Sequence, residues 1–296
     1  MFHKYYHLER LGNSEVENVH VGTVFIQPKL DGTNSSIWFE KGELQTASRN
    51  RHLSLEKDNA GFCAYVQENK GKFLPLFTLL PNVILYGEFL VKNVIKTYRS
   101  DAWRKFYVFD VALIRDSELE YLTPEQYQPV LESLNIDYVP VISKVENFTG
   151  DWAQFLSLAT FLLDPTIENN KAEGIVIKNY NFVNKYGRKT FAKLINTEVM
   201  LNAKKTNSKV HEQGGLELEI AQKYVTSHMI DKERAKIENA TGNGSIQGRL
   251  LQTIFYTLIQ EELWDILKKY KNPTIDFKKL NREVIEIVKS HCKDLF

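Results

Sequence analysis

Hydrophobic periodicity changes once along this chain, and that change limits the folds open to it. Up to about Lys205, short apolar runs with strand character alternate with helix-like ones. "TVFIQPKL" reads as a strand, and "NSSIWFEKGELQTAS" as a hairpin turning at Lys41-Gly42. "NVILYGEFL", "KFYVFDVALI", "EGIVIKNY" and "RKTFAKLIN" are rich in β-branched and aromatic residues, as buried strands are. Between them, "AGFCAYVQENKGKFLPLFTLL" is helical at least in its first half. "TPEQYQPVLESLN" opens with Thr123 as N-cap and Pro124 at the first helical position, and "DWAQFLSLATFLL" reads as another helix. After Lys205 only helical periodicity remains, in "LELEIAQKYVTSHMI", "QGRLLQTIFYTLIQEELWDILKKY" and "FKKLNREVIEIVKSHCKDL". Gly214-Gly215, Gly242-Asn243-Gly244 and Asn272-Pro273 punctuate them. The expectation is an α+β, antiparallel-rich domain over residues 1–205 and a small all-helical domain over 206–296, with a linker in "NAKKTNSKVHEQGG".

Composition narrows the class. The chain has 296 residues, 43% hydrophobic and 25% charged, enough for one large core or two ordinary ones. Its two cysteines, Cys63 and Cys292, form no CxxC, so neither a disulfide framework nor a cysteine-rich zinc site is expected. The start, "MFHKYYHLERLGN", lacks a signal-peptide core, and no run approaches the roughly 20 apolar residues of a membrane span. A soluble cytoplasmic protein with no membrane partner is expected. Net charge is +1, so any nucleic-acid surface must be local. Such a place is "KYGRKTFAKLINTEVMLNAKKTNSK", Lys185 to Lys209, with seven basic residues and Glu198 as its one acid. On its own such a run is a solvated face.

Polar residues mark the strand edges. Lys29 ends the first strand in "PKLDGTN", and Arg49 follows the hairpin in "ASRNR". Glu88 lies in "LYGEF", Phe109 and Asp110 in "FYVFDV", Glu173 and Lys178 in "EGIVIK", and Lys193 in "FAKLIN". Charges in apolar strands are costly unless paired, so each alone reads as a structural ion pair. As a set they offer cations for phosphate, carboxylates for a sugar or metal, and an aromatic ring for a base.

The ordered series "KLDG", "SRNR", "YGEF", "FYVFDV", "EGIVIK", "AKLIN" resembles the covalent nucleotidyltransferases, the ATP-dependent ligases and capping enzymes. Within them the chain is most similar to the phage-type RNA ligase 2 family, which includes the RNA-editing ligases. "MFHKYYHLE" resembles that family's N-terminus, and the helical tail its C-terminal domain. The resemblance implies an antiparallel-sheet nucleotidyltransferase domain and an ATP-dependent RNA ligase. Lys29 would attack the α-phosphorus of ATP to give lysyl-AMP. AMP would pass to an RNA 5′-phosphate, and a 3′-OH would displace it, as at nicks in duplex RNA. Lys29, Glu173 and Lys193 would be catalytic. Asp31, Asn34, Arg49, Glu88, Phe109 and Lys178 would bind the nucleotide with Lys29 and Lys193, Glu88 at the ribose and Phe109 on adenine. Glu173 would hold Mg²⁺ or Mn²⁺. Arg49, Lys204, Lys205 and Lys209 would meet the RNA, and the enzyme would act as a monomer, in the cytoplasm or, if phage-encoded, in the host cytosol. The alternatives are a small ATP-dependent DNA ligase and a nucleotide- or RNA-binding relative with impaired turnover. Three positions depart from the family pattern. Ile195 stands where a second lysine is usual, with Lys189 or Lys204, and then Lys178 or Arg188, as substitutes. Pro28 replaces an acidic residue, and Asp31 a frequent histidine.

Overall fold

The computed structural model describes residues 2–91, 95–116, 118–196, 215–239 and 245–296. The chain divides into two compact units, Met1–Lys205 and Thr206–Phe296.

The first unit is built on two five-stranded sheets. One follows the order β1 (Leu8–Arg10), β10 (Phe191–Ile195), β9 (Gly174–Lys178), β2 (Thr23–Lys29), β8 (Ser143–Glu146). The other follows β4 (Glu43–Ser48), β3 (Thr33–Glu40), β5 (Val83–Phe89), β6 (Phe106–Arg115), β7 (Glu118–Leu122). Pairing is antiparallel throughout except for β1 with β10. The β3–β4 hairpin turns at Lys41 (φ 55°) and Gly42 (φ 84°), the two positive φ angles of a tight hairpin turn.

Alternation along the strands builds three layers. Ile37, Val83, Leu85, Phe89 and Phe106 face outward onto helices α1 (Phe62–Glu68), α2 (Lys70–Leu79) and α3 (Pro124–Ser133). Val24, Ile26, Ile175, Ile177 and Ala192 face the other way, onto Tyr98, Phe155 and Leu162. Between the sheets lies an aromatic layer: Tyr5, Phe25, Trp38, Tyr86, Tyr121, Tyr180 and Phe191. Each such ring, removed from water, contributes about 1.5–3 kcal/mol. Helix α3 starts as its sequence specifies, with a capping box between Thr123 and Gln126 and Pro124 in the first turn.

Two helical expectations are modified. The helix over 60–80 is interrupted at Asn69, which ends α1 and precedes α2. The helix expected over 151–163 is a single 3₁₀ stretch, Trp152–Leu158. Its continuation is drawn into pairing with a distant segment: Arg99 N–H donates to Leu162 O at 2.9 Å and Asp164 N–H to Thr97 O at 2.8 Å. Those bonds outweigh local helix propensity, which is only a few tenths of a kcal/mol per residue.

The second unit, as described, is helical: α4 (Leu216–Tyr224), α5 (Ser227–Asn239), α6 (Ile246–Lys269) and α7 (Phe277–His291). Leu250, Ile254 and Leu258 on α6 and Leu280, Val284 and Val288 on α7 recur every four residues and are fully buried. Asp276 caps α7 by accepting from Lys278 N–H and Lys279 N–H. The proposed linker falls outside the described residues apart from its last glycine. Among the described residues, no helix is long and apolar enough to cross a membrane.

Candidate functional site

Strand register decides which side chains meet. Lys29 on β2 lies opposite Gly174 on β9, and Gly174 opposite Ile195 on β10. Lys193 lies opposite Val176. Cross-strand partners point to one face, as do residues two apart. Phe25, Val176 and Phe191 lie in the inter-sheet layer, so Lys29, Lys178, Lys193 and Ile195 face that layer too. From the opposing sheet, Asn34 pairs with Glu88 two residues from Ser36–Tyr86, and Tyr86 belongs to the same layer. Asn34 and Glu88 therefore look back across it.

The "DG" turn is pinned from both sides. Asp31 is fully buried; its N–H donates to the Tyr98 hydroxyl oxygen at 3.0 Å, and its carboxylate accepts from Ile95 N–H at 2.8 Å. Gly32 N–H donates to Glu88 Oε1 at 3.0 Å. A Cβ on Gly32 would stand 2.6 Å from Phe89 O and 2.9 Å from Glu88 Cγ, so the close approach requires glycine. This anchoring holds Lys29 inside the site instead of in solvent. Its Nζ lies 2.7 Å from Glu173 Oε2, with side-chain exposures of 17% and 3%. Gly174, next to Glu173, has its own constraint: a Cβ there would fall 2.1 Å from Leu194 O.

A second cluster sits deeper. Asp110 is fully buried and accepts from the Tyr5 hydroxyl, from Tyr180 OH at 2.6 Å and from Lys178 Nζ at 2.7 Å. Lys178 also donates to Phe109 O at 2.7 Å. Burial pushes the Lys178 ammonium below its ordinary range, and Asp110 pulls it back. Burial, and then the charge of Asp110, hold the Tyr5 and Tyr180 phenols well above theirs. Phe109 is the extra residue of a β-bulge, since Tyr86 pairs with Asp110 and Gly87 with Val108. Its ring centroid lies 5.0 Å from that of Tyr5 and 5.1 Å from Lys178 Nζ.

The structure thus brings together Lys29, Glu173, Glu88, Asn34 and Lys193 around one layer, with Lys178 and Asp110 as a buried hub in it and half-buried Phe109 beside them. Arg49 reaches the N-terminal segment: its guanidinium donates to Tyr6 O at 3.1 Å and contacts His7 Nδ1 at 3.3 Å, and the Tyr6 ring packs against the inter-sheet layer. Asp31 is spent on the turn. Lys204, Lys205 and Lys209 lie outside the described residues. Of the substitutes for a lysine at 195, Lys189 donates to Tyr180 O at 3.0 Å, and Arg188 lies 3.5 Å from Glu15. Both precede β10, whereas Ile195 ends it, six and seven residues on, or about 20–23 Å at 3.3 Å per extended residue. Two residues escaped the sequence reading. Tyr5 carries no local signal of a buried role, and Arg10 is set beside Lys193 only by the parallel β1–β10 register.

Among the described residues, no group of three or more His, Cys, Asp or Glu side chains could hold a metal ion alone. Buried Glu173 suits a hard divalent cation that takes its remaining ligands from phosphates and water, the usual arrangement for Mg²⁺.

None of the curated proteins matches the chain. Among solved structures, Naegleria gruberi RNA ligase with PPi and a mutant of it with ATP and Mn each align at TM-score 0.50 and 23% identity. Each match covers 69% of this chain and 58% of the solved one, so the chain spans well under two thirds of those ligases; the likeness is one of fold. The sequence model of the RNA ligase family matches residues 22–195, from the strand before Lys29 to the end of β10. That stretch is more than half the chain and holds every described site residue except those of the N-terminal segment, and on it the chain belongs to the RNA ligase family.

Proposed function

We propose that this protein is an ATP-dependent RNA ligase acting through Lys29. The observation that carries the reading is the 2.7 Å contact of half-buried Lys29 with buried Glu173, on the face that also presents Lys193. A lysine attacks only as the free amine, and the Glu173 carboxylate is within reach to take its proton. Nζ forms a P–N bond at the α-phosphorus of ATP, and the P–O bond to the leaving pyrophosphate breaks. The RNA 5′-phosphate then attacks the same phosphorus, releasing the lysine and giving an adenylylated end. A 3′-OH finally displaces AMP to close the phosphodiester.

Each transfer needs positioning and charge neutralisation above all. Lys193 faces the phosphates. Glu88, held by Gly32, accepts from the ribose hydroxyls, with Asn34 beside it. Phe109 is the ring for adenine, and Lys178 keeps the strand beneath it in place through Asp110. Glu173 is the residue to hold Mg²⁺ or Mn²⁺, which when bound neutralises phosphate charge. Residues 1–205 would be the adenylyltransferase and 206–296 the helical domain that helps grip RNA, joined by Arg49, Lys204, Lys205 and Lys209. A nick in duplex RNA is the expected substrate.

The test uses ATP labelled at the α-phosphate. Label becomes covalently attached to the wild type and to neither Lys29→Ala nor Lys29→Arg, since arginine stays protonated. Chasing the labelled protein with nicked RNA, nicked DNA and single strands should move label to the nicked RNA. Transfer to DNA alone would make it a DNA ligase, and normal labelling of either variant would remove Lys29 from the chemistry.

A further inference from the structure

Arg10 closes β1, and the parallel register seats it opposite Lys193. Its face is fixed by Leu8, which lies opposite Phe191 and packs with it in the inter-sheet layer. Arg10, two residues on, points the same way. The edge is locked just beyond it, where Leu11 N–H donates to Lys193 O at 2.9 Å. Adjacent strands are about 4.8 Å apart, so the two cations rise side by side from neighbouring backbones.

The charge balance of the transfer gives this placement its meaning. Lys29 must be neutral when it attacks, so it adds no positive charge to the phosphates at that moment. Lys178 ends β9 just beyond the Ile177–Ala192 pair, and Arg188 and Lys189 lie in the connection before β10, all at the opposite end of the hairpin from Gly174 and Ile195. Position 195, in line with Lys29 across Gly174, is a buried isoleucine. A guanidinium stays charged at any working pH and offers a planar fork of donors matched to phosphate oxygens. On the reading of Lys29 above, we propose that Arg10 is the second phosphate-binding cation of the site, gripping the triphosphate beside Lys193 from the edge strand.

The register also supplies a transplant test. Ile195 shares the face of Lys193 and Arg10, so a lysine at 195 would point a cation into the same layer from two residues along β10. Adenylylation rate is measured against ATP concentration for Arg10→Ala, Arg10→Lys and the double variant Arg10→Ala/Ile195→Lys, with thermal unfolding of each. Arg10→Ala should lower the maximal rate about 100-fold, the scale of one lost preorganised charge donor, while Arg10→Lys stays within about 10-fold. The double variant should recover about 10-fold or more over Arg10→Ala, which a purely structural Arg10 would not allow. Should Arg10→Ala not fold, Arg10→Gln, which keeps most of the stem, is read against the same thresholds. An Arg10→Ala rate within about threefold of wild type, with Lys29→Ala unlabelled, overturns the Arg10 assignment alone. So does an equal loss in Arg10→Ala and Arg10→Lys with no recovery in the double variant. Label on Lys29→Ala overturns the reading of Lys29 and this inference with it.

Discussion

Replacing Asp110 with asparagine keeps the shape of the buried hub and removes its only carboxylate. Lys178, 1% exposed, would then be an ammonium sealed between sheets that donates to Phe109 O with no carboxylate beside it. Breaking one side of a buried pair costs about 3–5 kcal/mol, because the other charge stays behind. At neutral pH the loss should therefore stay near 3–5 kcal/mol, or about 6–20 °C in Tm at 2–4 °C per kcal/mol for a unit of this size. Neutralising both partners, as Asp110→Asn/Lys178→Met, removes the stranded charge; Tyr5 and Tyr180 donate to different Asp110 oxygens, so one phenol can still donate to the asparagine oxygen while the other turns to accept from its amide N–H. The double variant should be more stable than Asp110→Asn alone by about 2 kcal/mol or more. Urea unfolding followed by circular dichroism measures all four corners of the cycle. An Asp110→Asn loss under about 1 kcal/mol, or a double variant as unstable as the two singles added, would refute a charge-paired hub.

Further outcomes follow from other contacts. Gly174→Ala forces β9 and β10 apart, since its Cβ would lie 2.1 Å from Leu194 O; stability should drop by roughly 1–3 kcal/mol and labelling should fall with it, both read on the purified variant. Tyr5 and Tyr180 have folded pKa values above the unfolded value, so the stability they contribute is present below about pH 10 and lost above it, at about 1.4 kcal/mol per tyrosine per pH unit. A spectrophotometric titration should show their tyrosinate absorbance appearing only with unfolding, and free titration near pH 10 in the intact fold would contradict the burial. Residues 1–205 expressed alone should take label from ATP yet seal RNA poorly; sealing as good as that of the full chain would leave the helical unit without an RNA role.

Much of this was legible where structure is local. The Lys41-Gly42 turn, the Thr123 cap and the strand runs around Lys29, Glu88 and Glu173 follow from period and turn chemistry, which act over a few residues. The short edge strands β1, β7 and β8 were not, because three to five residues carry too little pattern to stand out. The segment after Leu158 was misread because its partners at Thr97 and Arg99 lie some 60 residues away. Asp110 showed itself as a buried acid without a role, since Tyr5, Lys178 and Tyr180 reach it from 68 to 105 residues away. Ile195 raised a question about charge that only the register of β1 could address.

The sheet orders also set a timetable. Strands β3 to β7 pair with near neighbours, so their sheet can close once residues 33–122 are available. The other sheet waits: β2 needs β8 and β9, and β1 needs β10, more than 180 residues away. Such long closures slow folding, since chain entropy is lost before the distant contact rewards it. During synthesis at about 5–20 residues per second, Lys29 emerges about 7–30 s before Glu173, its partner 144 residues downstream. A nascent chain therefore carries this lysine without its carboxylate, without Lys193 and without Arg10 in register until the last strand of the unit has left the ribosome.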